Sequence, residues 1–272
     1  MRTVMRYVVG MLTVIYSMSM YPVCITVWVH GTYPMLSVLN ARWSPIRKMV
    51  YTQKGLHLAR DLPSNYYFRK LAQTCHDYNP SQYNLDHFYT YGWHSSNVRP
   101  SYRVQEGRKM YQALDKLLCE YAKKYKDITV RCIGFSHGGN VILNMLSCLP
   151  FCMPNIKLEV VLLGTPVQEA TRKFINTPYV SKAYSFYSVG DWIQRIDVQR
   201  FHKYCPKDAP FWSQRTFKDS DKVTQVCLTI NNKNIGHTRY RYLMNCLPDM
   251  LHKVDQMVGR NTSKCVSLNY NI

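Results

Sequence analysis

The chain has 272 residues, enough to bury one substantial core, and its length favours one domain. Hydrophobic residues make up 46% of it with no low-complexity tract, which excludes disorder over the bulk of the chain, and no fixed-period repeat supports a solenoid or propeller. The excess of 35 Lys+Arg over 16 Asp+Glu gives a formal charge of +19, which favours contact with something anionic.

Arg2 and Arg6 precede an uncharged stretch from Tyr7 to Met20, and Ser17 and Ser19 stand like the small residues before a signal-peptidase cut. Residues 1–20 therefore read as a secretory leader; an apolar segment packed on the core, or a short membrane span, are the alternatives. Residues 21–272 read as the folded domain. Val23 to Val29 is a β-branched apolar run ending at His30-Gly31, the pattern of a buried parallel strand. From Asn40 to Pro80 the chain is mixed and turn-rich, with Pro45, Gly55 and Pro63 as breakers. Leu85 to Tyr91 reads as another strand, and the aromatic run Tyr89 to His94 either lines an apolar pocket or caps the core.

Val104 to Lys126 places Met110, Leu114, Leu117, Leu118, Tyr121 and Tyr125 at helical spacing. Its end carries the densest basic cluster, Lys123-Lys124-Tyr125-Lys126, where cations suit the helix dipole. Ile128 to Ile133 is a strand that runs straight into Gly134-Phe135-Ser136-His137-Gly138-Gly139, and Val141 to Leu149 is helical in pattern. Then come Leu158 to Leu163 as strand, Gln168 to Phe174 as a short helix and Ala183 to Val189 as strand. Residues 192–222 are irregular and aromatic, a small cap over a cleft or a packed surface loop. Thr224 to Ile230 is the last clear strand, and Arg239 to Val258 closes as a helix despite Pro248. Such alternation predicts an α/β fold: a mainly parallel sheet with helices on both faces.

The ten cysteines form no CxxC pair and no His stands at zinc spacing from a Cys pair, so no structural metal is expected. Cys24, Cys132 and Cys227 fall in predicted strands, as small apolar residues. The scattered charge and the absence of a nucleic-acid motif argue against nucleic acid as the partner despite the 22 Tyr.

Gly134-Phe135-Ser136-His137-Gly138 fits G-x-S-x-G with a strand entering and a helix leaving, so that Ser136 sits on the turn between them. Together with His30-Gly31 after the first strand and Val161-Leu162-Leu163-Gly164-Thr165-Pro166, this resembles the α/β-hydrolases, and within them the microbial lipases and esterases. The resemblance runs from about Val23 to Val258, and is weak over Asn40–Asn84 and Trp192–Lys222. It implies the α/β-hydrolase fold and a nucleophile, acid, base order along the chain. Ser136 would be the nucleophile. Asp191, in Gly190-Asp191 beyond a strand, would be the acid, with Asp197 as rival. His237, in Asn234-Ile235-Gly236-His237, would be the base. The oxyanion would be held by the backbone N–H of His137 and that of Thr32, with Tyr33 as runner-up for the second.

The expected activity is hydrolysis of a carboxylic ester with a moderately apolar acyl group, without metal or cofactor. Thioesterase, peptidase or acyltransferase chemistry would use the same residues. A binding protein that keeps the scaffold and holds an anionic partner is the reading from another class. The leader and the charge together predict an exported protein working at an anionic lipid surface. His57, His76, His87, His94, His202 and His252 read singly as solvated surface groups.

Overall fold

The computed structural model describes residues 22–32, 53–95, 99–196, 217, 220–260 and 264–271. Its centre is the β-branched strand β1 (Val23–Val29), whose side chains suit a pleated, two-sided burial better than a helix. β1 pairs in parallel with β3 (Phe88–Gly92) on one side and β4 (Ile128–Phe135) on the other. Beyond β4 the sheet continues in parallel through β5 (Ile156–Leu163), β6 (Val180–Tyr187), β7 (Val223–Ile230) and β9 (Cys265–Tyr270). Two short strands run antiparallel: β2 (Gly55–Leu58) on β3 and β8 (Lys233–Asn234) on β7. The sheet is therefore mixed but mostly parallel.

Helices cover both faces. Ile25, Val27 and Val29 of β1 pack in one core layer with Met110, Leu114 and Leu118 of α2 (Pro100–Ala122) and with α3 (His137–Leu146). Trp28, pointing the other way, shares the second layer with Phe68 and Leu71 of α1 (Tyr67–Tyr78) and with Met250 and Val254 of α7 (Leu247–Arg260). Short helices α4 (Glu169–Arg172), α5 (Trp192–Ile196) and α6 (Tyr240–Leu243) follow β5, β6 and β8. Each fully buried aliphatic chain stabilises by about 1.5–3 kcal/mol relative to exposure. The two layers thus hold the sheet; half-buried β2 and exposed β8 add little. Among the described residues no helix is long and apolar enough to cross a membrane.

Several expectations need correction. The turn-rich reading of Asn40 to Pro80 missed β2 and α1, whose buried Phe68, Leu71, Ala72 and Cys75 follow helical spacing. Leu85 to His87 is a 3-10 turn rather than strand, because the Asn84 side chain accepts the Asp86 N–H at 2.8 Å and winds the backbone first. α2 spans Pro100 to Ala122, so the Lys123–Lys126 cluster lies just past its end, and Lys123 pairs with Glu120. α3 starts at His137, four residues before its apolar run, and Arg239 to Val258 is broken into 3-10 turns, α6 and α7. Thr224 to Ile230 is not the last strand, since β9 adds to its edge. Cys24, Cys132 and Cys227 do lie in strands. Cys119 of α2 is disulfide-bonded to Cys152, and the loop so closed contains β4, Ser136 and α3. Residues 1–20 lie outside the described residues, as does most of 192–222.

Candidate active site

β1 sits between β3 and β4, so chain progression reverses direction there, and the crevice at the carboxyl ends of β1 and β4 is where an open parallel sheet offers a site. Ser136 stands at the end of β4 as the residue before α3, with φ 52° and ψ −130°. That backbone is costly for a residue with a Cβ and persists only where its surroundings over-determine it. They do. Ser136 N–H donates to Leu163 O at 2.9 Å, and its own carbonyl accepts from Gly139 N–H at 3.1 Å. A Cβ on Gly134 would lie 2.6 Å from Gly139 Cα, and one on Gly138 would overlap the carbonyl oxygens of Val29 and His30. The motif's glycines are thus required by the contact of α3 with β1 and β4.

His237 opens a 3-10 turn after β8, and Asp191 lies past the end of β6. The structure brings these two and Ser136 into one hydrogen-bonded chain. The Ser136 hydroxyl donates to His237 Nε2 at 2.8 Å, and His237 Nδ1–H donates to Asp191 Oδ2 at 2.8 Å. Asp191 is completely buried, while Ser136 and His237 are buried with a trace of exposure. The imidazole stacks on the Phe135 ring at 5.2 Å and meets the edge of Tyr240 at 6.1 Å. Burial first, and the Asp191 charge second, hold the Tyr240 phenol well above its ordinary pKa, so Tyr240 stays neutral beside the ring.

No family model matches the sequence, and no curated protein matches it either.

The loop after β1 approaches the turn from the other side. A Cβ on Gly31 would come 2.9 Å from the Ser136 Cβ, so the chain leading to Thr32 passes against the serine. His137 is the first residue of α3 and follows Ser136 directly. Of the two positions expected to supply N–H donors, His137 thus adjoins Ser136 in sequence and Thr32 follows the glycine that packs against it; Tyr33 and Asp197 lie outside the described residues. The His137 imidazole is buried, and its Nδ1 accepts from the Asn140 amide at 3.1 Å, so its ring is a structural group.

Sequence reasoning missed the residues that hold these groups. Gln194 of α5 is buried; its backbone N–H donates to Asp191 Oδ1 at 3.2 Å and its amide to Thr165 O at 2.9 Å. It ties the carboxylate to the Gly164-Thr165-Pro166 loop. Ser188 accepts the Asp191 N–H at its carbonyl and the Ile235 N–H at its hydroxyl, both at 3.0 Å, joining the acid loop to the His237 loop. His30 is clamped to Trp93. The Trp93 indole N–H donates to His30 O at 2.7 Å, its backbone N–H donates to His30 Nε2 at 3.3 Å, and the rings stack. Burial pushes the His30 pKa down to about 4, against partial relief from Nδ1–H donating to Gly31 O. The aromatic run proves to be core: Tyr89, Tyr91 and Trp93 are buried there.

The histidines read as surface groups are less uniform than expected. His94 and His252 are exposed, whereas His57, His76 and His87 are half-buried and hydrogen-bonded, to Lys54 O, Tyr83 O and the Tyr121 hydroxyl. His202 lies outside the described residues. Asp115, Cys119 and Cys152 lie close enough to share a metal ion, but the disulfide engages both thiols.

Proposed function

We propose that the protein is a serine hydrolase of the α/β-hydrolase type that cleaves carboxylic esters through an acyl-enzyme. One observation carries the reading: the continuous chain Asp191–His237–Ser136, with both links at 2.8 Å and the serine on a strained turn between β4 and α3. A lone buried His needs only one partner. Here each ring nitrogen is engaged in the sense catalysis requires, Nδ1–H toward a buried carboxylate and Nε2 toward a hydroxyl.

The chemistry follows from those bonds. Ser136 Oγ attacks the ester carbonyl carbon while its proton passes to His237 Nε2, and the carbonyl electrons move onto oxygen. The imidazolium is stabilised by the buried Asp191 carboxylate, which also fixes the ring's tautomer. The N–H groups of Thr32 and His137 receive the oxyanion. Collapse expels the alkoxide, which takes the proton from Nε2. Water, deprotonated by the same nitrogen, then releases the acid and restores Ser136. None of these steps requires a metal or cofactor. The substrate we assign is an ester with a moderately apolar acyl group, met at an anionic lipid surface that the +19 charge would favour.

The test is covalent labelling with a fluorophosphonate, which traps a serine activated by a base. The native protein should label stoichiometrically, and Ser136→Ala should not. A folded native protein that never labels would overturn the reading and favour a binding protein on the same scaffold.

A further inference from the structure

Tyr111, Asp115 and Cys119 stand four residues apart on one face of α2, and all three hold the segment Pro150–Cys152 beyond α3. Each does so differently. The Tyr111 hydroxyl donates to Pro150 O at 2.7 Å, and its ring stacks on the buried Phe151 at 5.6 Å. Asp115 Oδ1 accepts the Cys152 N–H at 2.8 Å, and Cys119 is disulfide-bonded to Cys152. Two of the three anchors are therefore independent of the disulfide. A carboxylate oxygen of Asp115 and the two sulfurs all lie within 4.8 Å of one another. Cys152 is exposed and the other two residues are half-buried, so solvent reaches the group.

We propose that Asp115, Cys119 and Cys152 form an exchangeable metal site, in which reduction of the disulfide frees two thiols that bind a zinc ion together with Asp115. In the first step two equivalents of a thiol reductant such as glutathione are oxidised to one disulfide, and Cys119 and Cys152 each gain an electron and a proton. In the second, Zn²⁺ displaces both thiol protons to solvent and accepts a lone pair from each sulfur and from the carboxylate, with no change of oxidation state. Thiolates bound to zinc at about 2.3 Å stand roughly 3.8 Å apart, within the spread of the three ligand atoms. Two sulfur ligands select zinc over magnesium or calcium, which take oxygen. The Cys152 N–H fixes the Asp115 carboxylate and leaves its second oxygen for the metal, the support that ligating carboxylates ordinarily receive. The fourth position falls to water. Because the Tyr111 and Asp115 contacts keep the loop on α2 without the S–S bond, the ligands stay assembled in the reduced protein. The loop is then stapled by the disulfide in oxidising surroundings and by the metal in reducing ones. The two sulfurs are 33 residues apart in the chain, so no metal-ligand spacing marks them. Ser136 precedes α3 and this loop follows it, with about 15 Å of helix between them, so the site takes no part in ester hydrolysis and does not rest on that reading.

The test titrates the full chain with cobalt(II), a spectroscopic stand-in for zinc, without oxygen, before and after reduction and removal of the reductant. The reduced protein should bind one ion with thiolate-to-cobalt charge-transfer bands and the visible bands of tetrahedral cobalt, and added zinc should bleach both. The oxidised protein should show neither. The double variant Cys119→Ser, Cys152→Ser, which keeps the seven other thiols, should lose the bands. Asp115→Asn keeps the disulfide and both sulfurs, and should bind more than about tenfold more weakly, the lower end for losing even a group that supports a ligand. Excess zinc should also raise the melting temperature of the reduced protein by several degrees and not that of the oxidised one, because only the reduced form binds it. A reduced native protein that takes up no tetrahedral cobalt, bands that persist in the double variant, wild-type affinity in Asp115→Asn, or equal melting shifts in both redox forms would each overturn the proposal.

Discussion

The two halves of the candidate site are held by different physics. On the nucleophile side, Ser136 keeps its strained backbone because β1, β4 and α3 approach so closely that Gly138 has no room for a methyl group. On the acid side nothing is as tight. Asp191, Gln194, Ser188 and His237 are tied by hydrogen bonds of 2.8–3.2 Å across three separate loops. Steric locking is intolerant of any added atom and leaves a recognisable string of glycines. Hydrogen-bond locking tolerates shape changes but not the loss of a polar atom, and it leaves no string at all. Substitutions on the two sides should therefore fail differently, one in stability and the other in rate.

The largest effect is expected on the acid side. Asp191→Asn keeps the size and burial of the side chain but replaces its charge and offers an amide to the His237 ring, favouring the wrong tautomer. Ester hydrolysis should fall about 10⁴-fold, as loss of the orienting acid does in serine proteases, or about 5.5 kcal/mol of transition-state stabilisation. The melting temperature should change far less than the rate. Asp197→Asn, at the rival position, should stay within a few fold of wild type; kinetics on the two variants would transfer the role if the ranking reversed.

On the nucleophile side, Gly138→Ala places a methyl group against the carbonyl oxygens of Val29 and His30, which are backbone atoms and cannot swing aside. Overpacking of this kind costs about 3 kcal/mol, the upper end for a single small insertion. The denaturant midpoint should drop accordingly, and activity should fall with it as Ser136 leaves its position. A variant as stable as wild type would show that the turn is looser than its contacts imply.

The same contrast explains what could be read from sequence. β1 is a nearly continuous β-branched run buried on both faces, β4 and β5 end in the buried stretches Cys132–Phe135 and Val160–Leu163, and such runs announce themselves; the turn at Ser136 does so through its glycines. β9 escaped because its apolar residues, Val266, Leu268 and Tyr270, alternate with exposed Cys265, Ser267 and Asn269, a half-covered edge whose signal is weak over six residues. α1 escaped because Arg69, Lys70, Gln73 and Thr74 dilute its apolar stripe in a segment full of turn residues. Asp191 and His237 were placed by their order after Ser136 together with their positions in loops beyond predicted strands. Gln194 and Ser188 had no signal, since a residue that holds another through one hydrogen bond can be any polar type the loops bring near.

The smallest expected effect tests whether the steric side has a polar weakness. His30 supplies one of the carbonyls that crowd Gly138, and its imidazole is buried as a neutral ring, Nδ1–H donating to Gly31 O and Nε2 accepting the Trp93 N–H. Protonation would place a second N–H against that donor. With its pKa pushed from 6.5 down to about 4 by burial, the unfolded chain takes up a proton between those values and the folded protein does not. Stability attributable to this group is therefore complete above pH 6.5 and is lost as pH falls toward 4. On acidification from neutrality to pH 5 the loss is about 2 kcal/mol, because each pH unit below the unfolded pKa costs roughly 1.4 kcal/mol. Denaturant unfolding at the two pH values, repeated on His30→Gln, separates this ring from every other titrating group. The wild-type protein should lose about 2 kcal/mol more than the variant on acidification. Equal losses in both would mean that water reaches the ring, and that the loop against Ser136 is held by Trp93 and the backbone alone.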